Sequence, residues 1–185
     1  MPQTPAGLRP LLLRCALGLD PRPGGAPAAA EEFADFAGLW RRWREILDEL
    51  IDAIAHGSYE LDQGRAHTSW GLAAALFTDD CIARGLTPAQ GGAVYNGCNW
   101  DAIGIANLTD ALAALKQLVF DQRKVTLAEF RAALAADWQD EYAALRRQIE
   151  RDVPHFGNDR SEVDAIAADI VRACVESFAR HTPYR

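Results

Sequence analysis

The densest group of side chains able to bind or react lies between Gly91 and Gly104, where Tyr95, Asn96, Cys98, Asn99, Trp100 and Asp101 crowd onto a glycine-rich backbone. Phenol, amide, thiol, indole and carboxylate groups supply hydrogen bonds, a soft nucleophile and stacking faces, and binding sites favour such loops. A plain turn between two helices fits the same residues. Elsewhere the chemistry is sparse. Asp79 and Asp80 place two carboxylates side by side, but neighbours on a helix point apart, so they read as surface groups. Cys81 and Cys174 fall on apolar stripes, where an inert buried thiol is the ordinary outcome. His56, His67, His155 and His181 show no i,i+4 pairing, and Cys15, Cys81, Cys98 and Cys174 form no C-x-x-C pair, so neither a metal site nor a disulfide framework is expected. Ser58 and Ser69 lack the local signature of an activated nucleophile. No phosphate loop and no dinucleotide fingerprint occurs.

The elements that would position this segment are mainly helical. Phe36, Leu39, Trp40, Trp43, Leu47, Leu50 and Ile54 recur at three- and four-residue steps and predict an amphipathic helix, with charges of both signs on its other face. A second helix is expected from about Ser69 to Arg84, carrying Trp70, Ala73, Phe77 and Cys81 on one side and ending at Gly85 as a left-handed cap. Gly91-Gly92 ends that pattern. Val94-Tyr95 then reads as a short strand before the turn pair Asn96-Gly97, giving a mainly α fold with a short glycine-rich β segment near its middle. The helical period returns with Leu108, Leu112, Leu115 and Val119. Thr126 and Glu129 fit a capping box opening a helix that buries Leu127, Phe130, Leu134 and Trp138. Tyr142, Leu145 and Ile149 continue the pattern until Pro154. Val163, Ile166, Ile170, Cys174 and Phe178 mark a final helix, with Ser161 to Asp164 as a weaker cap. Residues 20–30 hold three prolines and two glycines and read as a connector, dividing residues 1–30 from a helical part at 31–185.

Composition bounds the function. The chain has 185 residues, 49% hydrophobic and 24% charged, which suits one ordinary globular domain. A net charge of −7 argues against nucleic acid or an anionic membrane as partner, because phosphate surfaces select basic faces. Leu11 to Leu19 is the longest apolar run, is interrupted by Arg14, and resembles neither a membrane span nor a secretory signal. Reduced thiols and a cytoplasmic setting are the expectation.

Several ordered blocks resemble the glycyl radical enzymes of the pyruvate formate-lyase/glycerol dehydratase type. Asp79-Asp-Cys-Ile-Ala-Arg-Gly85 and Gly91-Gly-Ala-Val-Tyr-Asn96 are similar to the family's D-D-C-I-x-x-G … G-G-A-x-Y-N block. Gly104-Ile-Ala-Asn107, Asp110 to Phe120, Lys124-Val-Thr-Leu127 and Ala132 to Trp138 resemble the blocks that follow it. Phe156-Gly-Asn-Asp159 with Val163-Asp164 is similar to the family's Y-G-N-D … V-D, and Leu12 to Gly18 and the helix at Phe36 to Ile54 match more loosely.

The resemblance implies part of an α/β barrel, with the Tyr95 to Asp101 stretch as its pocket-facing or barrel-facing segment. In that family a glycyl radical, installed by an iron–sulfur S-adenosylmethionine activating enzyme, oxidises a cysteine to a thiyl that abstracts hydrogen from substrate. The cysteine sits in a G-C-V-E loop ahead of the region similar to Leu12–Gly18, and the glycine in an R-V-x-G-[YF] loop of a terminal domain. Neither motif stands in its place here. Gly97-Cys98 is followed by Asn99-Trp100, and Ala173-Cys174-Val175-Glu176 copies the letters on an apolar helix face. No catalytic residue, metal or cofactor is therefore assigned within these residues. The resemblance implies a fragment, split subunit or degenerate relative of a radical lyase or dehydratase, inactive alone. Its expected partner is the remaining part of such an enzyme or a second copy, and the alternative is a non-catalytic helical binding module.

Overall fold

The computed structural model describes residues 11–19, 32–68, 71–97 and 99–184. The connector at 20–30 and the residues Ser69, Trp70 and Cys98 lie outside these. Eight α-helices occur among the described residues: α1 (Leu11–Ala16), α2 (Phe36–Ala66), α3 (Leu72–Ala75), α4 (Cys81–Arg84), α5 (Ile105–Ala114), α6 (Leu127–Ala135), α7 (Ala143–Asp152) and α8 (Ser161–Phe178). The chain forms two compact units, one containing the described residues among 1–49 with Ala102–Glu176, the other Leu50–Asp101 with Ser177–Arg185.

In the first unit the expected stripes are the core. Leu39, Trp43 and Leu47 of α2, Leu108 and Leu112 of α5, and Val163 and Ile170 of α8 are all buried. Burial of such side chains contributes roughly 1.5–3 kcal/mol each. α5 passes into a π-helical stretch, Leu115–Asp121, in which Gln122 N donates to Gln117 O at 2.9 Å. The wider turn sets Lys116 Nζ 2.7 Å from Asp121 Oδ2, an i,i+5 pair that an α-helix would point apart.

The Thr126 box forms as expected. Thr126 Oγ1 accepts from Glu129 N at 3.2 Å, and Glu129 Oε2 accepts from Thr126 N at 2.7 Å. Phe130 and Trp138 are buried with their rings edge to face, 5.5 Å apart. The expected continuation from Leu134 through Tyr142 does not occur. α6 closes in a Schellman motif, where Asp137 N donates to Leu134 O (3.2 Å) and Trp138 N to Ala133 O (2.9 Å), with Asp137 left-handed at φ 53°. Those bonds satisfy the carbonyls that a further turn would have used.

The second unit corrects two expectations. The helix expected from Ser69 to Arg84 is two short helices, α3 and α4, separated by Asp80 in a left-handed conformation (φ 72°). Phe77 is consequently 89% exposed and not part of an apolar stripe. The Gly85 cap is present, at φ 64°. α2 runs on past Ile54 to Ala66, burying Ile51, Asp62 and Ala66 on the way.

Val94-Tyr95 does not form a strand, and no strand occurs among the described residues. A strand needs a neighbour to bond, and here the backbone before it turns back on itself. Gly92 N donates to Thr87 O at 2.8 Å, Arg84 Nη1 donates to Gly92 O at 3.0 Å, and Asn96 Nδ2 donates to Pro88 O at 2.7 Å. The described residues are thus helix and loop, without the β part of a barrel.

Candidate functional site

The glycine-rich segment is a fastened loop. A 3-10 turn at Pro88–Gln90 starts it, its N-terminal end closed by a reciprocal box between Thr87 and Gln90, and the Gln90 side chain donates to Ala66 O at 3.2 Å. Gly92 is required by space: a β-carbon there would overlap the Leu86 carbonyl oxygen and sit 2.8 Å from Cys81 Sγ. Cys81 is buried against this turn, so its thiol packs and is not presented to solvent.

The segment divides its own predicted site residues. Asn96 is spent on Pro88 O, and Trp100 stacks on Phe178 with ring centroids 5.2 Å apart. Tyr95 is 98% exposed, and Asn99 and Asp101 are also exposed. Cys98 lies outside the described residues. The described members are thus not gathered into one pocket: Asn96 fastens the loop, Trp100 packs on Phe178 of α8, and three are exposed.

Cys174 lies on α8, half-buried. Burial pushes its thiol above the ordinary value, and the Arg44 guanidinium opposes that without cancelling it. Arg44 itself is bound to Asp48 (3.2 Å) and Glu176 (3.1 Å).

A cluster that the side-chain inventory of the sequence did not single out lies in the first unit. Asp110 Oδ1 accepts from Phe156 N at 2.7 Å, while Asp110 Oδ2 faces His155 Nδ1 at 3.3 Å. His155 Nε2 meets Glu150 O at 3.3 Å, and Glu150 Oε1 accepts from Arg146 Nε at 2.8 Å. Both imidazole nitrogens therefore face protein acceptors, and neither is presented to a substrate as a general base must be. The group clamps the turn after α7. Its available signal was positional: Asp110 opens one of the family-like blocks and Phe156 opens another. No group of acidic, cysteine and histidine side chains among the described residues could hold a metal ion. No described helix is long and apolar enough to cross a membrane.

Comparison with known proteins adds the context. The Pyruvate formate lyase-like family model matches residues 19–185. The Escherichia coli K12 protein named Probable dehydratase YbiW is 30% identical over 162 residues, 83% of this chain and 20% of that protein. Trans-4-hydroxy-L-proline dehydratase of Clostridioides difficile is 30% identical over 142 residues, 76% of this chain and 18% of the enzyme. Its crystal structure with trans-4-hydroxy-L-proline bound superposes with a TM-score of 0.80 at 26% identity, covering 90% of this chain and 22% of that one. A glycyl radical enzyme from Archaeoglobus fulgidus shares the fold, with a TM-score of 0.78 over 94% of this chain at 22% identity. The chain thus spans about a fifth of the length of the curated relatives it matches.

Proposed function

Because the chain belongs to the pyruvate formate lyase-like family, we propose that it is helical scaffold of a glycyl radical dehydratase or lyase, and that the cysteine and glycine of the radical reaction come from polypeptide outside these residues. The observation that carries this reading is the combination of a TM-score of 0.80 with coverage of only 22% of the matched enzyme. The three described cysteines support it. Cys15 and Cys81 are buried, and Cys174 is half-covered on a helix, whereas a thiyl residue must reach both substrate and a glycine loop. A dehydration of this kind would need no cofactor held by this chain, since the radical would be installed by a separate activating enzyme. The partner we propose is the remaining part of such an enzyme, in a cytoplasmic setting that keeps thiols reduced.

The test is electron paramagnetic resonance after anaerobic treatment with an activating enzyme, S-adenosylmethionine and reductant. The chain alone is expected to give no glycine-centred signal and no turnover. Joined to, or mixed with, a polypeptide carrying the other four-fifths of a relative, it is expected to give both. A radical signal with turnover from the chain alone would overturn the proposal.

A second reading, a non-catalytic binding module on the same scaffold, draws on the exposure of Phe77 (89%), Tyr95 (98%) and Ile103 (94%). It predicts association with a complementing polypeptide and no radical under any of these conditions.

A further inference from the structure

Within the first unit a cavity of about 260 Å³ opens between α1, α5, α6 and α7. Its origin is legible in α5. The helix presents large side chains at Leu108 and Leu112 to the core, but alanines at Ala111 and Ala114 toward this space. Two small residues one turn apart leave unfilled volume opposite Phe130, Leu134, Trp138 and Ile149, all of them buried.

The chemistry of the walls selects the occupant. Polar groups at the edge are already engaged: Asp110 with Phe156 N and His155, Arg146 with Glu150, and Arg14 Nη1 with Leu134 O at 3.2 Å. The edge carries two guanidiniums, Arg14 and Arg146, and two carboxylates, Asp110 and Glu150, so it offers an ion no net charge to offset the hydration it would lose. Water would find few partners on the apolar wall and is therefore held there weakly. An uncharged ring loses little on leaving water and gains dispersion contacts that the empty wall lacks. Size agrees, because a cavity of about 150 Å³ lined by aliphatic and aromatic side chains already holds benzene. The edge-to-face pair of Phe130 and Trp138 offers a third ring the same geometry.

We propose that this cavity is a binding site for an uncharged aromatic molecule of benzene to indole size, separate from the glycine-rich segment and from any radical chemistry. The test uses indole as probe and benzoate as the charged control, with the purified chain, read by saturation-transfer NMR and by thermal shift. Indole is expected to bind and to raise the melting temperature, with benzoate weaker by about tenfold or more. Ala111→Phe is expected to fill the space and abolish indole binding while circular dichroism shows the fold retained. Ala114→Leu, a smaller filling change, is expected to weaken indole binding by about tenfold and serves if the larger ring prevents folding. Equal binding of benzoate, undiminished binding in a folded filled variant, or no indole binding up to its solubility limit would each overturn the proposal. None of these readouts depends on the radical reaction, so failure here leaves the scaffold reading untouched, and the converse holds.

Discussion

The Asp110 carboxylate holds Phe156 by its backbone, accepting its N–H at 2.7 Å across 46 positions of sequence, while its other oxygen faces the His155 ring. One side chain therefore ties α5 to the turn that leaves α7. The Phe156 ring is 42% exposed and adds little packing, while His155 Nε2 to Glu150 O and Gln117 Nε2 to Asp152 O, both at 3.3 Å, give further ties near the turn. Removing the acceptor should loosen the turn without emptying the core. Asp110→Ala is expected to cost about 1–2 kcal/mol in urea unfolding. Asp110→Asn, which keeps an acceptor for Phe156 N, is expected to cost less. Equal losses in the two variants would show that the charge facing His155, and not the bond to Phe156, carries the effect.

Gly92 tests the fastened loop. Its missing β-carbon makes room for a backbone carbonyl, that of Leu86, as well as for Cys81 Sγ. Gly92→Ala is therefore expected to destabilise by about 1–3 kcal/mol. Adding Cys81→Ala should not restore stability, because the carbonyl cannot be trimmed. Rescue by the double variant would place the clash on the sulfur alone.

Asp137 occupies the left-handed position that closes α6. An aspartate tolerates this conformation better than a β-branched residue does. Asp137→Val is expected to lower stability by about 1–2 kcal/mol. Asp137→Gly should cost less than Asp137→Val, because glycine adopts the left-handed conformation without strain. A thermal melt ranking valine above glycine would refute the assignment of this motif.

Glu129 sets a pH dependence. Its carboxyl is held below the usual carboxylate range, chiefly by the Thr126 backbone N–H and then by the Thr126 hydroxyl. A carboxylate with a lowered folded-state pKa contributes stability that is present above its unfolded value and lost as pH falls through the folded one. The melting-temperature gap between parent and Glu129→Gln should accordingly be widest near neutrality and shrink in acid. A gap independent of pH would mean that the box does not depend on the charge.

Thiol reactivity follows burial. Cys174, its thiol raised by desolvation, should alkylate more slowly at mildly alkaline pH than an exposed peptide thiol. Cys15 and Cys81 should stay unmodified until the chain unfolds. Peptide mapping by mass spectrometry resolves the sites, and fast native labelling of Cys81 would contradict its packing against Gly92.

Periodicity by itself determined the helices whose burial repeats along one face: Leu39, Trp43 and Leu47 in α2, Leu108 and Leu112 in α5, Val163 and Ile170 in α8. The Thr126–Glu129 box and the Gly85 cap were equally legible, since each is made by residues within a few positions of one another. Family-like blocks in order along the chain were enough for membership as well. Tertiary structure decided the rest. Whether Val94-Tyr95 becomes strand depends on a bonding neighbour far away in sequence, and none of the described residues supplies one. Left-handed Asp80 and Asp137 broke two helical patterns where residue types alone allowed continuation. The clamp from Asp110 to Phe156 and the cavity beside Ala111 and Ala114 exist only where distant helices meet. Local rules see neighbours a turn away, whereas contacts and voids are set by what the folded chain brings against them.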